Sequence, residues 1–395
     1  ASVAAPSDDP YLDAGSVSAT ITSAAGGNFE SLVIDPTAAT TTVTDDVDVT
    51  TVSLAATASV AEGGSIVYTA TLTNPADTAV TVTLSTGETI TIAAGATTGT
   101  VSIAAPVDDP YVDAGSVSRT ISSATGGNFE SLVVNATPAV TTVTDTIDVA
   151  TLSITGSASV TEGASGSYTL SLTSPAQTAV TVNLTYSGTA ANGADYTGVA
   201  TVTIAAGTSS ATFDIATLDD PIDAVTAESF TVTVASAAGG NFENLIVSGV
   251  NNSVTSTIVD NDPAPTITVS SPTVGEAGGF AQFTIGLSHP SSQAVTLVLA
   301  LANGTASGGG VDFGAGLEVS TNGGATWVSA TSVTLPAGTT SVLARTPIAN
   351  DAFDEANETF TLTATRTAGT TSNASAVGTA AITDDDPTPT LSIGN

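Results

Sequence analysis

Residues 8–33 read DDPYLDAGSVSATITSAAGGNFESLV and residues 108–133 read DDPYVDAGSVSRTISSATGGNFESLV. Four of these 26 positions differ: Leu12/Val112, Ala19/Arg119, Thr22/Ser122 and Ala25/Thr125. A chain that repeats itself this closely at a spacing of 100 residues folds as an array of one supersecondary unit, not as one large domain. Other segments keep the same order. SVAEGGS at 59–65 returns as SVTEGAS at 159–165 and TVGEAGG at 273–279. TNPADTAVTVTL at 73–84 returns as TSPAQTAVTVNL at 173–184 and LSHPSSQAVTLVL at 287–299. VTDDVD at 43–48 returns as VTDTID at 143–148, IVDNDP at 258–263 and ITDDDP at 382–387. Full modules are therefore expected at 49–148, 149–262 and 263–386. Residues 1–48 read as the C-terminal half of a preceding module, and 387–395, PTPTLSIGN, as the first strand of a following one.

Within a module apolar residues alternate with period two, as in YTLSLT, VTVNLTY, ATVTIA, ATFDIA and FTVTVA between 168 and 235. Short alternating runs broken by Gly, Pro, Asn and Asp predict an antiparallel β-sandwich. In module 149–262 seven strands are expected: A 151–160, B 166–173, C 179–186, D 198–205, E 210–217, F 228–236 and G 245–259. The predicted fold class is all-β: tandem seven-stranded Ig-like sandwiches arranged end to end, with no helical periodicity.

In an up-and-down sandwich the A–B, C–D and E–F loops share one pole with the C-terminus. In module 149–262 that pole gathers Glu162, Asp195, Asp219, Asp220, Asp223, Asp260 and Asp262, with Glu228 at its edge. The opposite pole holds one acid, Glu243. The same placement puts Asp8, Asp9, Asp13, Asp45, Asp46 and Asp48 on the pole of the half-module. It puts Glu62, Asp108, Asp109, Asp113, Asp145 and Asp148 on that of 49–148, and Asp312 among the acids of 263–386. Of 37 acidic residues, 29 fall on such poles. The chain has three arginines, no lysine and a net charge of −34, so side chains cannot neutralise them. Crowded carboxylates repel strongly, which calls for a bound cation. Carboxylate oxygens with no cysteine and a single histidine suit calcium. The same charge excludes nucleic acid as a partner. No apolar run is long enough for a membrane helix. Without cysteine, no disulfide holds the modules.

Several segments together resemble the Calx-beta domain. They are EGAS after the first strand, GTAANGADYT at 188–197, TVTIAAGTSSATFDI at 201–215, LDDPIDAVTAESFTVTV at 218–234 and the closing IVDND. Module 263–386 offers GEAGG, GTASGGGVDF, NDAFDEANETFTLT and ITDDD. The resemblance implies seven-stranded sandwiches that bind calcium at one end, of the kind found in tandem arrays in large bacterial surface proteins and adhesins. It implies as ligands Glu162, Asp219, Asp220, Asp223, Asp260 and Asp262, and in the next module Glu276, Asp351, Asp354, Glu355, Asp384, Asp385 and Asp386. There are departures. In 49–148 the C–D loop is reduced to STGE, and the closing cluster is thinned to Asp145 and Asp148. Pro110 and Pro221 interrupt the acidic run, and Asn261 replaces an acid.

No catalytic constellation is present. His289 sits in a turn with no matching nucleophile motif. Trp327 lies in an insertion that reads as an added hairpin around Asn322-Gly323-Gly324 and is expected to pack on it. GGNFE at 26–30, 126–130 and 239–243 reads as an F–G turn whose Phe tucks under the sandwich. The expected function is a calcium-stiffened spacer in a secreted or surface-displayed bacterial fibrous protein, with Pro263, Pro265, Pro387 and Pro389 stiffening the junctions. Its partners would be adjacent modules or neighbouring identical chains. The alternatives are an adhesin module binding a glycan or protein through the insertion at 302–332, and a self-assembling filament subunit. An enzyme is not expected.

Overall fold

The computed structural model describes residues 1–13, 15–224 and 226–393. Gly394 and Asn395, the end of the strand expected at 387–395, lie outside the described residues, and 387–393 form no strand. Two compact units are present, one of residues 1–150 with 241–244, the other of 151–240 with 245–395. The described residues are strands and turns, with one short 3-10 segment at Glu276–Gly278. None of their helices is long and apolar enough to cross a membrane.

In the first unit, residues 1–48 contribute a hairpin that pairs Gly15–Ala19 with Ala39–Val43. Repeat 49–148 is a sandwich. One layer runs Ser131–Val134, Val49–Ala56, Ser65–Leu72, Thr98–Ala104. A three-stranded sheet of Ile121–Gly126, Val80–Leu84 and Thr89–Ile92 faces it, and Ser59–Ala61, Ala139–Thr144 and Gly115–Arg119 form a separate three-stranded sheet. Strict alternation drives this: Ile66, Tyr68, Ala70 and Leu72 point inward along one strand and meet Val80, Val82, Leu84, Ile90 and Ile92 of the other layer.

The second unit holds two complete sandwiches of five strands per layer. In repeat 149–262 the layers run Tyr196–Thr197, Ser210–Thr217, Ser165–Leu172, Val149–Gly156, Asn244–Val247 and Ser159–Thr161, Ser253–Val259, Glu228–Gly239, Val180–Gly188, Thr201–Ile204. The order is not up-and-down. Strand B pairs with A and E, while C pairs with D and F, so the chain crosses between layers after B, D and E. Strand directions still alternate along the chain, which is why the loops sort to two ends as expected. A and G, first and seventh, run the same way and pair in parallel, for example Ser159–Thr161 beside Thr257–Val259. Each also splits in two, so that A and G contribute to both layers.

The cores are built around aromatic stacks. Tyr196 lies 4.4 Å from Phe230 between ring centroids, and Phe313 lies 4.2 Å from Phe360. All four side chains are buried. The insertion in the third repeat does form a hairpin, with Glu318–Ser320 paired to Val328–Ser329. Trp327 packs there against the Arg345 guanidinium, 4.1 Å from the ring centroid, and Phe280 covers the same guanidinium at 4.0 Å.

Candidate metal centres

Each acidic E–F loop opens with the same local device. An aspartate carboxylate accepts a hydrogen bond from the amide two residues on: Tyr11 N to Asp9 Oδ1 at 3.0 Å, Tyr111 N to Asp109 Oδ1 at 3.0 Å, Ile222 N to Asp220 Oδ1 at 2.7 Å, and Phe353 N to Asp351 Oδ1 at 2.9 Å. In three of the four loops the residue between is proline, which has no N–H to compete. The turn fixes the loop and leaves the second oxygen of each aspartate for the pole.

The A–B loop supplies a glutamate held from behind. Gly163, next to Glu162, has φ +72°, and a Cβ there would lie 3.1 Å from Asp219 Cβ, so only glycine brings the loop this close to the E–F acids. In repeat 149–262 carboxylate oxygens of Glu162, Asp260 and Asp262 lie within 4.8 Å of one another. Asp260 Oδ1 and Asp262 Oδ2 are buried with no hydrogen-bond partner, as is Asp223 Oδ2. Burial and the charges of Asp220, Asp260 and Asp262 push the Glu162 carboxyl up to about 7. Burial, then Asp260, Asp219 and Asp220, also raise Asp262. Asp195 and Asp220 share a recess with Glu162, Glu228 and Asp260. Asp219 Oδ1 accepts from Asn261 Nδ2 at 3.5 Å.

Repeat 263–386 has two clusters. Glu276, Asp351 and Asp386 form one, and Asp312, Glu355 and Glu358 the other, each with oxygens within 4.8 Å. Glu276 is 8% exposed, and its Oε2 has no partner, nor does the buried Asp386 Oδ2. Burial, then Asp312, pushes Glu358 up to about 7. Asp386 is raised by burial and by Asp384, Asp385, Asp351 and Asp354, which places all these acids in one field. The second cluster depends on the aromatic stack below it. Phe313 plugs the core over Phe360, and the residue before it, Asp312, is thereby presented beside Glu358. Tyr196 on Phe230 presents Asp195 beside Glu228 in the same way. Repeat 49–148 has no such segment in its shortened C–D loop.

The pole of 49–148 brings Glu62 and Asp145 together with Glu243, again within 4.8 Å. Asp113, against Glu62, pushes the Glu62 carboxyl up to about 7, followed by burial, Asp145 and Asp109. Asp108 is hydrogen-bonded by the Thr146 hydroxyl. In residues 1–48, Asp8, Asp9, Asp13, Asp45 and Asp46 line one recess. Asp13 N donates to Asp45 Oδ2 at 3.2 Å, and Asp46, then Asp48, raise the Asp8 carboxyl. Asp48 and Asp148 contribute backbone amides, to Glu130 Oε2 at 2.5 Å and Glu243 Oε2 at 2.6 Å.

The GGNFE turns differ from expectation. Phe129 and Phe242 are buried, but they stack on the tyrosines of DDPY loops in the preceding segment: Tyr11 with Phe129 at 5.8 Å and Tyr111 with Phe242 at 5.5 Å. The three left-handed residues Gly239, Gly240 and Asn241, at φ +110°, +85° and +59°, bend the turn so that Asn241–Asn244 pack with the first unit. Glu243 is therefore no lone acid of an opposite pole. Sequence reasoning also passed over Glu130, and it did not name Glu358 among the ligands. The recurrence of Glu in GGNFE, and of Glu228 and Glu358 at the start of strand F, was the available signal. Among the described residues the one ion pair joins Arg345 to Glu318 at 2.7 Å, and it includes no member of these clusters.

The architecture defines a class: tandem β-sandwich modules with clustered carboxylates at one end of each. The chain belongs to the LapA domain family of large adhesins, which it matches over residues 1–46, 48–146 and 148–261, and it carries a Calx-beta domain over 260–386. It is thus a segment of an adhesin-type surface protein. Neither family is an enzyme family, and Calx-beta domains are of a calcium-binding type. Among solved structures the chain is similar to CBD12 from CALX1.2, at 16% identity, 53% of this chain, 79% of that one and a TM-score of 0.24. It is also similar to the apo-form Calx CBD1 domain (20% identity, 31% and 99% covered, TM-score 0.23). A third is the CupB6 tip adhesin from Pseudomonas aeruginosa (11% identity, 60% and 98% covered, TM-score 0.24). At these TM-scores the likenesses say nothing further about function. No curated protein matches the chain.

Proposed function

We propose that this chain is a calcium-braced spacer of a secreted bacterial surface adhesin. The observation that carries the reading is the repeated cluster built from the A–B glutamate and the closing aspartates: Glu162 with Asp260 and Asp262, and Glu276 with Asp386 and Asp351. Buried carboxylate oxygens without donors are costly, and an ion bonded to several of them removes that cost. Hard oxygen ligands at this spacing suit calcium, whose bonds to oxygen run about 2.3–2.6 Å. The ions would fix the A–B and E–F loops and the C-terminal end of each module as one piece, and so hold the chain firm where one module passes into the next.

The test is thermal unfolding in chelator and in millimolar calcium. A ligand bound only by the folded state adds roughly 2.7 kcal/mol at a hundredfold excess over Kd, so the melting temperature should rise by several degrees. Equal melts in the two conditions would remove calcium from the function.

A further inference from the structure

Glu243 belongs in sequence to the F–G turn of repeat 149–262, yet it packs in the first unit beside acids more than 90 positions earlier. Its position is determined several times over. Glu243 N donates to Pro110 O at 3.1 Å, and Val112 N donates to Asn241 O at 3.0 Å. Phe242 is stacked on Tyr111 with the rings 25° apart. Asp148 N donates to Glu243 Oε2 at 2.6 Å. These contacts hold one carboxylate oxygen and leave the other, Oε1, buried without a hydrogen-bond partner.

We propose that Glu243 completes a divalent-cation site whose other walls are Glu62 and Asp145, so that one ion is held jointly by two successive repeats. The inference rests on the calcium reading above and adds to it a ligand supplied from the following repeat. Oxygens of the three carboxylates lie within 4.8 Å of one another. Oxygens grouped this closely suit joint binding of one calcium, whose bonds to oxygen run about 2.3–2.6 Å. Glu62 is 6% exposed, and its Oε2 has no partner. Asp145 Oδ1 is likewise buried and unpartnered. Three convergent carboxylates, each with an oxygen lacking a donor, make a site that is unfavourable empty and favourable with a dication.

The docking half of the arrangement occurs twice. Glu130 N donates to Pro10 O at 3.1 Å, Leu12 N to Asn128 O at 3.0 Å and Asp48 N to Glu130 Oε2 at 2.5 Å. At the Calx-beta boundary the equivalent loop is met differently. Asp223 O accepts from Ser292 Oγ at 2.6 Å, and among the described residues the carboxylate cluster there, Glu162 with Asp260 and Asp262, draws on one repeat alone.

The experiment is calcium titration calorimetry of the full chain, wild type against Glu243→Gln, Glu62→Gln, the double variant and Glu30→Gln. Gln at 243 still offers an oxygen to Asp148 N, so a purely structural role survives the change. Circular dichroism checks that each variant keeps its β content. Glu243→Gln should weaken one class of sites on the order of tenfold or more and leave the others unchanged. The double variant should lose no more than the worse single one, because both residues serve one ion. Glu30→Gln, in the exposed copy of the turn, should change nothing. Unchanged number and affinity in Glu243→Gln, or additive losses in the double variant, would overturn the shared site while leaving the calcium reading intact. Absence of calcium binding by the wild type would overturn both.

Discussion

The raised carboxylates at the poles tie metal-free stability to pH in a direction opposite to that of acids paired with a base, while calcium affinity weakens as pH falls, as it does for any carboxylate. Glu162 and Glu358 are pushed up to about 7, chiefly by burial, and Glu62 to about 7, chiefly by Asp113. In an unfolded chain a glutamate titrates near 4.3. A folded pKa above the unfolded one means that the fold binds more protons than the open chain. The associated stability is therefore full below about pH 4.3 and is lost as pH rises through about 7. In chelator the protein should melt at a higher temperature at pH 5 than at pH 8. Calcium reverses the preference, because the ion binds the carboxylate and displaces the proton. A group with pKa about 7 is roughly 0.9 protonated at pH 6 and roughly 0.1 at pH 8. The cage built on Glu162 should thus release about 0.9 proton per ion at pH 6 and about 0.1 at pH 8, with an affinity about tenfold weaker at the lower pH. Titration calorimetry in two buffers of different ionisation enthalpy counts the protons directly. Glu162→Gln should remove one such proton without unfolding the domain. Release below about 0.2 proton per ion at pH 6, or a metal-free melting temperature that climbs from pH 5 to pH 8, would refute the argument.

Two further outcomes follow from the packing. Phe242→Ala deletes a buried ring and its stack on Tyr111. It should cost up to about 3 kcal/mol locally, seen as faster hydrogen exchange at the Val112 amide with the core of repeat 263–386 unaffected. Arg345→Lys removes the planar group held between Phe280 and Trp327 and bonded through Nε and Nη2 to Glu318 at 2.7 Å. A loss of about 1 kcal/mol should appear in urea unfolding of this repeat, together with a red shift of the single tryptophan's emission.

Alternation made the strands readable, because a half-buried strand needs period two whatever its neighbours are. Strand B, expected at 166–173, is Ser165–Leu172, and E occupies Ser210–Thr217 as read. Changes of layer left no such mark. Strand A divides between Gly156 and Ser159, and G between Val247 and Ser253, because each leaves one layer for the other. Alternation is the same on both sides of such a step. The acidic loops were legible for a related reason: directions alternate whether strands meander or cross layers, so the A–B glutamate and the closing aspartates converge in either topology. Glu243 and Glu130 were hidden because their neighbours, Asp148 and Asp48, lie 95 and 82 positions away, across a boundary that no within-repeat pattern describes. Glu358, like Glu228, stands at the start of a strand at the edge of the pole, and only its pairing with Asp312 marks it as part of a cluster.

The joint between loop 108–113 and turn 239–243 reproduces, contact for contact, the one between loop 8–13 and turn 126–130. In both joints the loop and the turn come from different copies of the repeat. Compatibility is thus a property of the series and not of any member. An in-frame exchange between the matching stretches 8–33 and 108–133 would remove or add 100 residues and leave a joint of the same composition. Such an exchange would change the number of repeats by one while the remaining joint keeps the same residue types. The series stops at Asp223, where Ser291 and Ser292 take the place of the aromatic turn. The Calx-beta domain beyond it carries no GGNFE turn and stands outside that matching series.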